Sequence, residues 1–218
     1  MSRARLALAA IVLAAVAGGG FGLMAVFATG AERNPIASPE RDRFGLPQTH
    51  GQAKWSPGER RAPPVTLRDH SGRRISLASL RRHPVLLTFF DSECRDQCPV
   101  AGRQLAIMLR QMAPAERPTL VMISVNPRGD TPESIRHAMA QWRLDGPWRW
   151  HWLRGTRAEL AAVWRDYGVA VDPTTNDVTH GMALYLIDGR GFERTAYLFP
   201  FLPNFVARDL KVLARERS

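Results

Sequence analysis

Apolar positions along this chain follow different periods in different stretches, and each change of period marks an element. The near-continuous apolar runs Val85–Phe90 and Thr119–Val125 predict strands buried on both faces. Between them Ala101, Leu105, Met108 and Met112 recur at helical spacing, with Pro99 suited to the first helical turn. Upstream, Val65-Thr66-Leu67, the polar stretch Asp69-His70-Ser71-Gly72, then Ile75 and Leu77 predict two short strands around a turn. Asp130-Thr131-Pro132-Glu133 opens a second helix, with Thr131 as cap, Pro132 in the first position and Glu133 at the positive end. Trp150–Leu153 predicts a strand. Thr156-Arg157-Ala158-Glu159 is a capping-box pattern for a helix that carries Leu160, Val163 and Trp164 and ends at Gly168. Ala183–Ile187 and Arg194–Leu198 flank Asp188-Gly189-Arg190-Gly191 as a hairpin, and Val206, Leu210 and Leu213 line one face of a last helix.

Strands alternate with helices, and the chain closes on a hairpin and a helix. This predicts an α/β domain over residues 64–218, with a central mixed sheet flanked by helices and the chemistry at the strand carboxyl ends. A loop between strand and helix that carries paired cysteines, in that order of elements, is the layout of the thioredoxin-like fold.

The front of the chain differs. Leu6 to Ala31 contains no charged side chain and follows Arg3 and Arg5. Its length favours an uncleaved transmembrane anchor over a signal peptide, whose apolar region runs about 7–15 residues. Gly18-Gly19-Gly20 leaves a second option, a signal core at Leu6–Ala17 cleaved near Ala28 or Ala31. Arginines on both sides nearly balance the positive-inside count. The very short amino-terminal tail then decides for an exported domain, on the periplasmic face of a bacterial inner membrane. A mitochondrial presequence is expected to be an arginine-studded amphipathic helix, which this uncharged segment does not resemble. Residues 32–63, with Pro35, Pro39, Pro47, Pro57 and Pro63, read as a linker that holds the domain off the membrane.

The net charge of +10 comes almost entirely from arginine, Lys54 and Lys211 being the only lysines. No basic run exceeds three, so a solvated surface is preferred to a nucleic-acid stripe. Docking an acidic partner or lying near anionic lipid are secondary uses.

The only two cysteines stand in Cys94-Arg95-Asp96-Gln97-Cys98-Pro99. Two sulfurs so placed can form a reversible disulfide, bind a soft metal or exchange electrons with another thiol pair; a merely structural staple is the plain alternative. Backbone N–H groups at a helix start, with Arg95 and Arg103 nearby, favour the thiolate that redox and binding both need. Of six histidines, His50, His70, His83 and His137 fall in polar surroundings that predict solvation, and His151 between tryptophans reads as a satisfied core side chain. His180 differs, because Asp177-Val178-Thr179-His180-Gly181-Met182 leads straight into a strand. Two thiolates and one imidazole suit Cu(I), and with a change of geometry Cu(II), better than magnesium or calcium. A structural zinc site wants four ligands; Met182 offers at most a weak thioether contact, and Met108 and Met112 belong to the helix stripe.

Cys94-x-x-x-Cys98-Pro99, then Ser124-Val125-Asn126-Pro127 with Asp130-Thr131-Pro132-Glu133, then His180 before Tyr185-Leu186-Ile187-Asp188, resembles the SCO/SenC family in the order and spacing of three blocks, from about Pro64 to Leu213. The resemblance implies a thioredoxin-like domain that binds copper through Cys94, Cys98 and His180. It also implies delivery of copper to, or reduction of cysteines in, the dinuclear copper centre of cytochrome c oxidase, or service to another exported copper protein. Asp96 matches an acidic position between the family's cysteines. Arg95 stands in place of a proline, Phe90-Asp91-Ser92 in place of a Gly-Tyr-Thr-like approach, and Asn126 in place of an aspartate. Thr179 and Gly181 stand in place of aspartate and serine. Such changes tune affinity and potential. Thiol–disulfide exchange without copper is the alternative function, with a one-cysteine peroxidase and a binding module stapled by its cysteines behind it.

Overall fold

The computed structural model describes residues 49–173 and 178–216. The expected membrane segment, residues 1–31, and the first part of the expected linker lie outside them. Among the described residues no helix is long and apolar enough to cross a membrane.

The centre is a parallel trio: β5 (Val85–Phe90), β6 (Thr119–Ser124) and β7 (Trp150–Arg154). Every residue of β5 and β6 is buried, which is why both read as near-continuous apolar runs. Leu86, Phe90, Leu120 and Met122 face one core, while Val85, Leu87, Phe89, Val121 and Ile123 face another. On one side of the trio, β10 (Ala183–Ile187) runs antiparallel to β5, and β11 (Phe192–Leu198) antiparallel to β10. On the other side, β3 (Thr66–Asp69) runs antiparallel to β7 and pairs with β4 (Arg74–Ser76). Leu77, expected in the second strand, instead starts a short 3-10 turn capped by Ser76.

Three helices, α1 (Gln97–Gln111), α2 (Pro132–Gln141) and α4 (Pro203–Arg215), bury Leu105, Ile135 and Leu210 against the first face. Helix α3 (Arg157–Asp166) lays Leu160, Val163 and Trp164 on the second. The mixed sheet between helices is the thioredoxin-like arrangement expected. Thr131 caps α2 and Thr156 caps α3, each in a reciprocal capping box; the partner in α2 is Ser134 rather than an acidic residue. Gly168, at φ +68°, turns the chain after α3.

The linker expectation fails over its last part. Residues 49–63 belong to the folded unit: β1 (Ala53–Lys54) and β2 (Arg60–Arg61) both pair with β11. His50, expected to be solvated, binds Asp209 of α4 through Nδ1 at 2.6 Å and through its main-chain N–H at 2.7 Å. The structured domain therefore begins well before Pro64.

A two-stranded sheet stands apart from the main one. Its strands are β8 (Val171–Pro173) and β9 (Val178–His180), with Val171 opposite His180.

Candidate metal centre

The cysteine loop leaves β5 at its carboxyl end and enters α1, so Cys98 is the second residue of that helix. β10 is antiparallel to β5, with Leu184 opposite Thr88. The start of β10, and His180 just ahead of it, therefore fall at the end of the sheet where β5 finishes. The Thr88 hydroxyl donates to the Ala183 carbonyl at 3.0 Å and ties the two strand ends together. Across this junction Cys98 Sγ and His180 Nε2 face each other at 3.9 Å.

His180 Nδ1 lies 3.1 Å from its neighbour's carbonyl, Gly181 O. A proton on Nδ1 donates there, which leaves the Nε2 lone pair turned to the cysteine. At the bond lengths that thiolate and imidazole make to zinc, about 2.3 and about 2.0 Å, two ligands of one ion stand roughly 3.5–4 Å apart. The observed gap fits that spacing, and the donor set is soft.

Both cysteines are free thiols, and they are not equivalent. Cys98 is fully buried, whereas Cys94 is half-buried. A hydrogen bond from Cys98 holds the Cys94 thiol down at about 6, against the opposing effect of burial, helped by the backbone N–H groups of Cys98 and Asp96. The same hydrogen bond, and then burial, push the Cys98 thiol far up. Asp96 occupies the cap position of α1 but makes no side-chain cap bond. The Cys94 sulfur takes that place at the positive helix end. Arg95 and Arg103, expected to stabilise the thiolate, are both exposed. Hydrogen bonds do this work instead.

Two carboxylates that sequence reasoning did not place in the site lie beneath the loop. Asp91 is buried, and its carbonyl accepts the Cys94 N–H at 3.3 Å. Its Oδ1 accepts from the Glu93 N–H at 2.9 Å and from Asn126 Nδ2 at 3.2 Å, and burial pushes its carboxyl up. Asp130 is fully buried, accepts the Ser92 N–H at 2.7 Å and Trp152 Nε1 at 3.3 Å, and is pushed up to about 6 by burial. The signal for Asp91 was available: a carboxylate that directly follows a strand buried on both faces has no water to reach.

Met182 sits in the two-residue link between β9 and β10 and is buried in the same core as Cys98. His70, expected to be solvated, stacks on Trp150 at 4.0 Å between ring centroids. His151 bonds Asp69 at 3.2 Å, as a satisfied side chain. Among the described residues no three His, Cys, Asp or Glu side chains already converge as a metal cage; the contact in place is that of Cys98 with His180, and Cys94 joins it through Cys98.

A family model described as SCO1/SenC matches residues 54–215. The chain belongs to the SCO1/SenC family. Protein SCO2 homolog, mitochondrial, from Bos taurus is 32% identical over 143 residues, 61% of this chain and 52% of that protein. The chain thus spans about half the length of the curated relative it matches. Among solved structures, that of Bradyrhizobium japonicum ScoI with copper bound shares 28% identity at a TM-score of 0.57, and covers 70% of this chain and 98% of its own. Yeast Sco1 with copper bound shares 22% identity at a TM-score of 0.59, over 69% of this chain and 86% of that one. The three blocks that carry the SCO1/SenC resemblance, around Cys94, Asn126 and His180, all fall within the matched residues.

Proposed function

We propose that this SCO1/SenC chain is a copper chaperone that holds its cargo through Cys94, Cys98 and His180. In this reading residues 1–31 anchor it in the bacterial inner membrane, and the folded domain faces the periplasm. There it delivers copper to, or reduces the cysteines of, the dinuclear copper site of cytochrome c oxidase or another exported copper protein. The single observation that carries the reading is the 3.9 Å approach of His180 Nε2 to Cys98 Sγ, across 82 residues of sequence. Two sulfurs and an imidazole are a low-coordinate soft set, suited to Cu(I). Family membership and the copper-bound ScoI relative support the choice of metal.

The full chain is expected to bind about one copper, and His180→Ala to weaken Cu(I) binding by more than about tenfold, the lower end of what losing even an outer-shell partner costs. Unchanged affinity in a competition titration removes His180 from the ligand set.

A second reading rests on the asymmetry of the thiols. The Cys94 thiolate is half-exposed and the protonated Cys98 lies behind it. In thiol exchange Cys94 attacks a client disulfide; a mixed disulfide forms and one client thiolate leaves. Cys98 then loses its proton and attacks Cys94, which releases the second client thiolate and passes two electrons to the client. This chemistry gives His180 no ligand role, its Nε2 at 3.9 Å being only an acceptor for the Cys98 proton. It predicts a Cys94–Cys98 couple that equilibrates with glutathione buffers and keeps its potential in His180→Ala. A couple inert to such buffers rules it out.

A further inference from the structure

Asp91 stands where a wholly buried strand gives way to the cysteine loop, and it is only 2% exposed. Its main chain touches both cysteines: the carbonyl accepts the Cys94 N–H, and the N–H is turned to the Cys98 sulfur. Its carboxylate is satisfied on one side only. Oδ1 takes the Glu93 N–H and the Asn126 amide, both neutral groups. Oδ2 accepts no hydrogen bond among the described residues. The charge of this group acts on Cys94, Cys98 and His180 alike.

A buried carboxylate held only by neutral partners is costly, and a cation bound nearby offsets that cost. With both sulfurs deprotonated on a bound ion, two thiolates and this carboxylate would put three negative charges in one neighbourhood. A monovalent ion leaves two of them uncompensated and a divalent ion leaves one.

We propose that Asp91 is a specificity-determining residue of this centre, whose carboxylate biases the Cys94–Cys98–His180 set toward the divalent state of its metal. The inference rests on the copper-binding reading. It adds a choice between oxidation states that two sulfurs and an imidazole do not make alone.

The test compares the full-length wild type with Asp91→Asn, which keeps an oxygen for the Glu93 N–H and the Asn126 amide but removes the charge. Each is titrated anaerobically with Cu(I), with Cu(II), and with Zn(II) as a divalent ion that cannot be reduced, against competing chelators. Asp91→Ser, with a small hydroxyl acceptor, is a second variant that keeps the test valid where Asn does not fold. The expected result is a loss of tenfold or more in Cu(II) and Zn(II) affinity with less than threefold change for Cu(I). Equal losses for both charge states, or no loss, overturn the assignment while leaving the copper reading intact. A wild type that binds none of the three ions overturns both.

Discussion

Asp130 and Asp91 are buried carboxylates under one loop, yet they face different demands. Asp91 is held by the Glu93 N–H and the Asn126 amide on one oxygen, whereas Asp130 is closed in by Ser92 and Trp152 on both. Burial raises the Asp130 carboxyl from 3.8 to about 6, against the pull of its hydrogen bonds. The folded state therefore holds this proton more tightly than the unfolded chain does. Its contribution to stability is complete below about pH 3.8 and is lost as pH rises to about 6, a change on the order of 3 kcal/mol. Asp130→Asn cannot ionise and offers one acceptor where two N–H donors point, so it starts less stable in acid. Between pH 4 and pH 6.5 the difference in unfolding free energy should then move toward the variant by about that amount in denaturant melts. A difference that stays constant across this range removes Asp130 as the titrating group.

Elements announced themselves in the sequence where period and punctuation agreed. β5 and β6 are buried throughout and mostly apolar because helices cover both faces, and α2 and α3 carry cap residues that bond as their spacing predicts. β1 and β2 had neither signal. Two residues have no period, Arg60 and Arg61 are exposed, and both strands exist only because β11 offers an edge far along the chain. His50 was misread for the same reason, since its partner lies 159 residues away. It stacks on Phe205 and shares Asp209 with Tyr197, whose hydroxyl donates at 2.5 Å. His50→Ala leaves the buried Asp209 carboxylate short of one bond, a cost of about 1–3 kcal/mol. Freed of that clamp, the Trp55 amide, bonded to the Arg194 carbonyl at 3.1 Å, should exchange with solvent faster in deuterium, while amides of β5 and β6 change only with global stability. Equal protection of Trp55 in both proteins shows that the edge pairing holds without the clamp.

Across the whole molecule, sheet order is what makes a site from distant residues. Parallel β5 and β6 bring the cysteine loop and Asn126 to the same end, and antiparallel β10 starts where β5 stops. The sequence showed that Cys94, Cys98 and His180 were chemically apt; only the strand order shows that they are neighbours. They are held by different means. The dithiol sits on a base pinned by α1, Asp130 and Asn126. The imidazole ends a hairpin that forms its own small sheet, closed at its base by the Gly181 N–H on the Ala170 carbonyl at 3.1 Å and packed on the second core through Val171 and Val178. A histidine whose Nε2 faces the buried Cys98 thiol is placed to take its proton in thiol exchange, and in the proposed copper reading the same lone pair would complete a ligand set for an ion bridging hairpin and base. The 3.9 Å separation, which matches two ligands of one ion, and the SCO1/SenC match rank the proposed copper binding ahead of redox for this site.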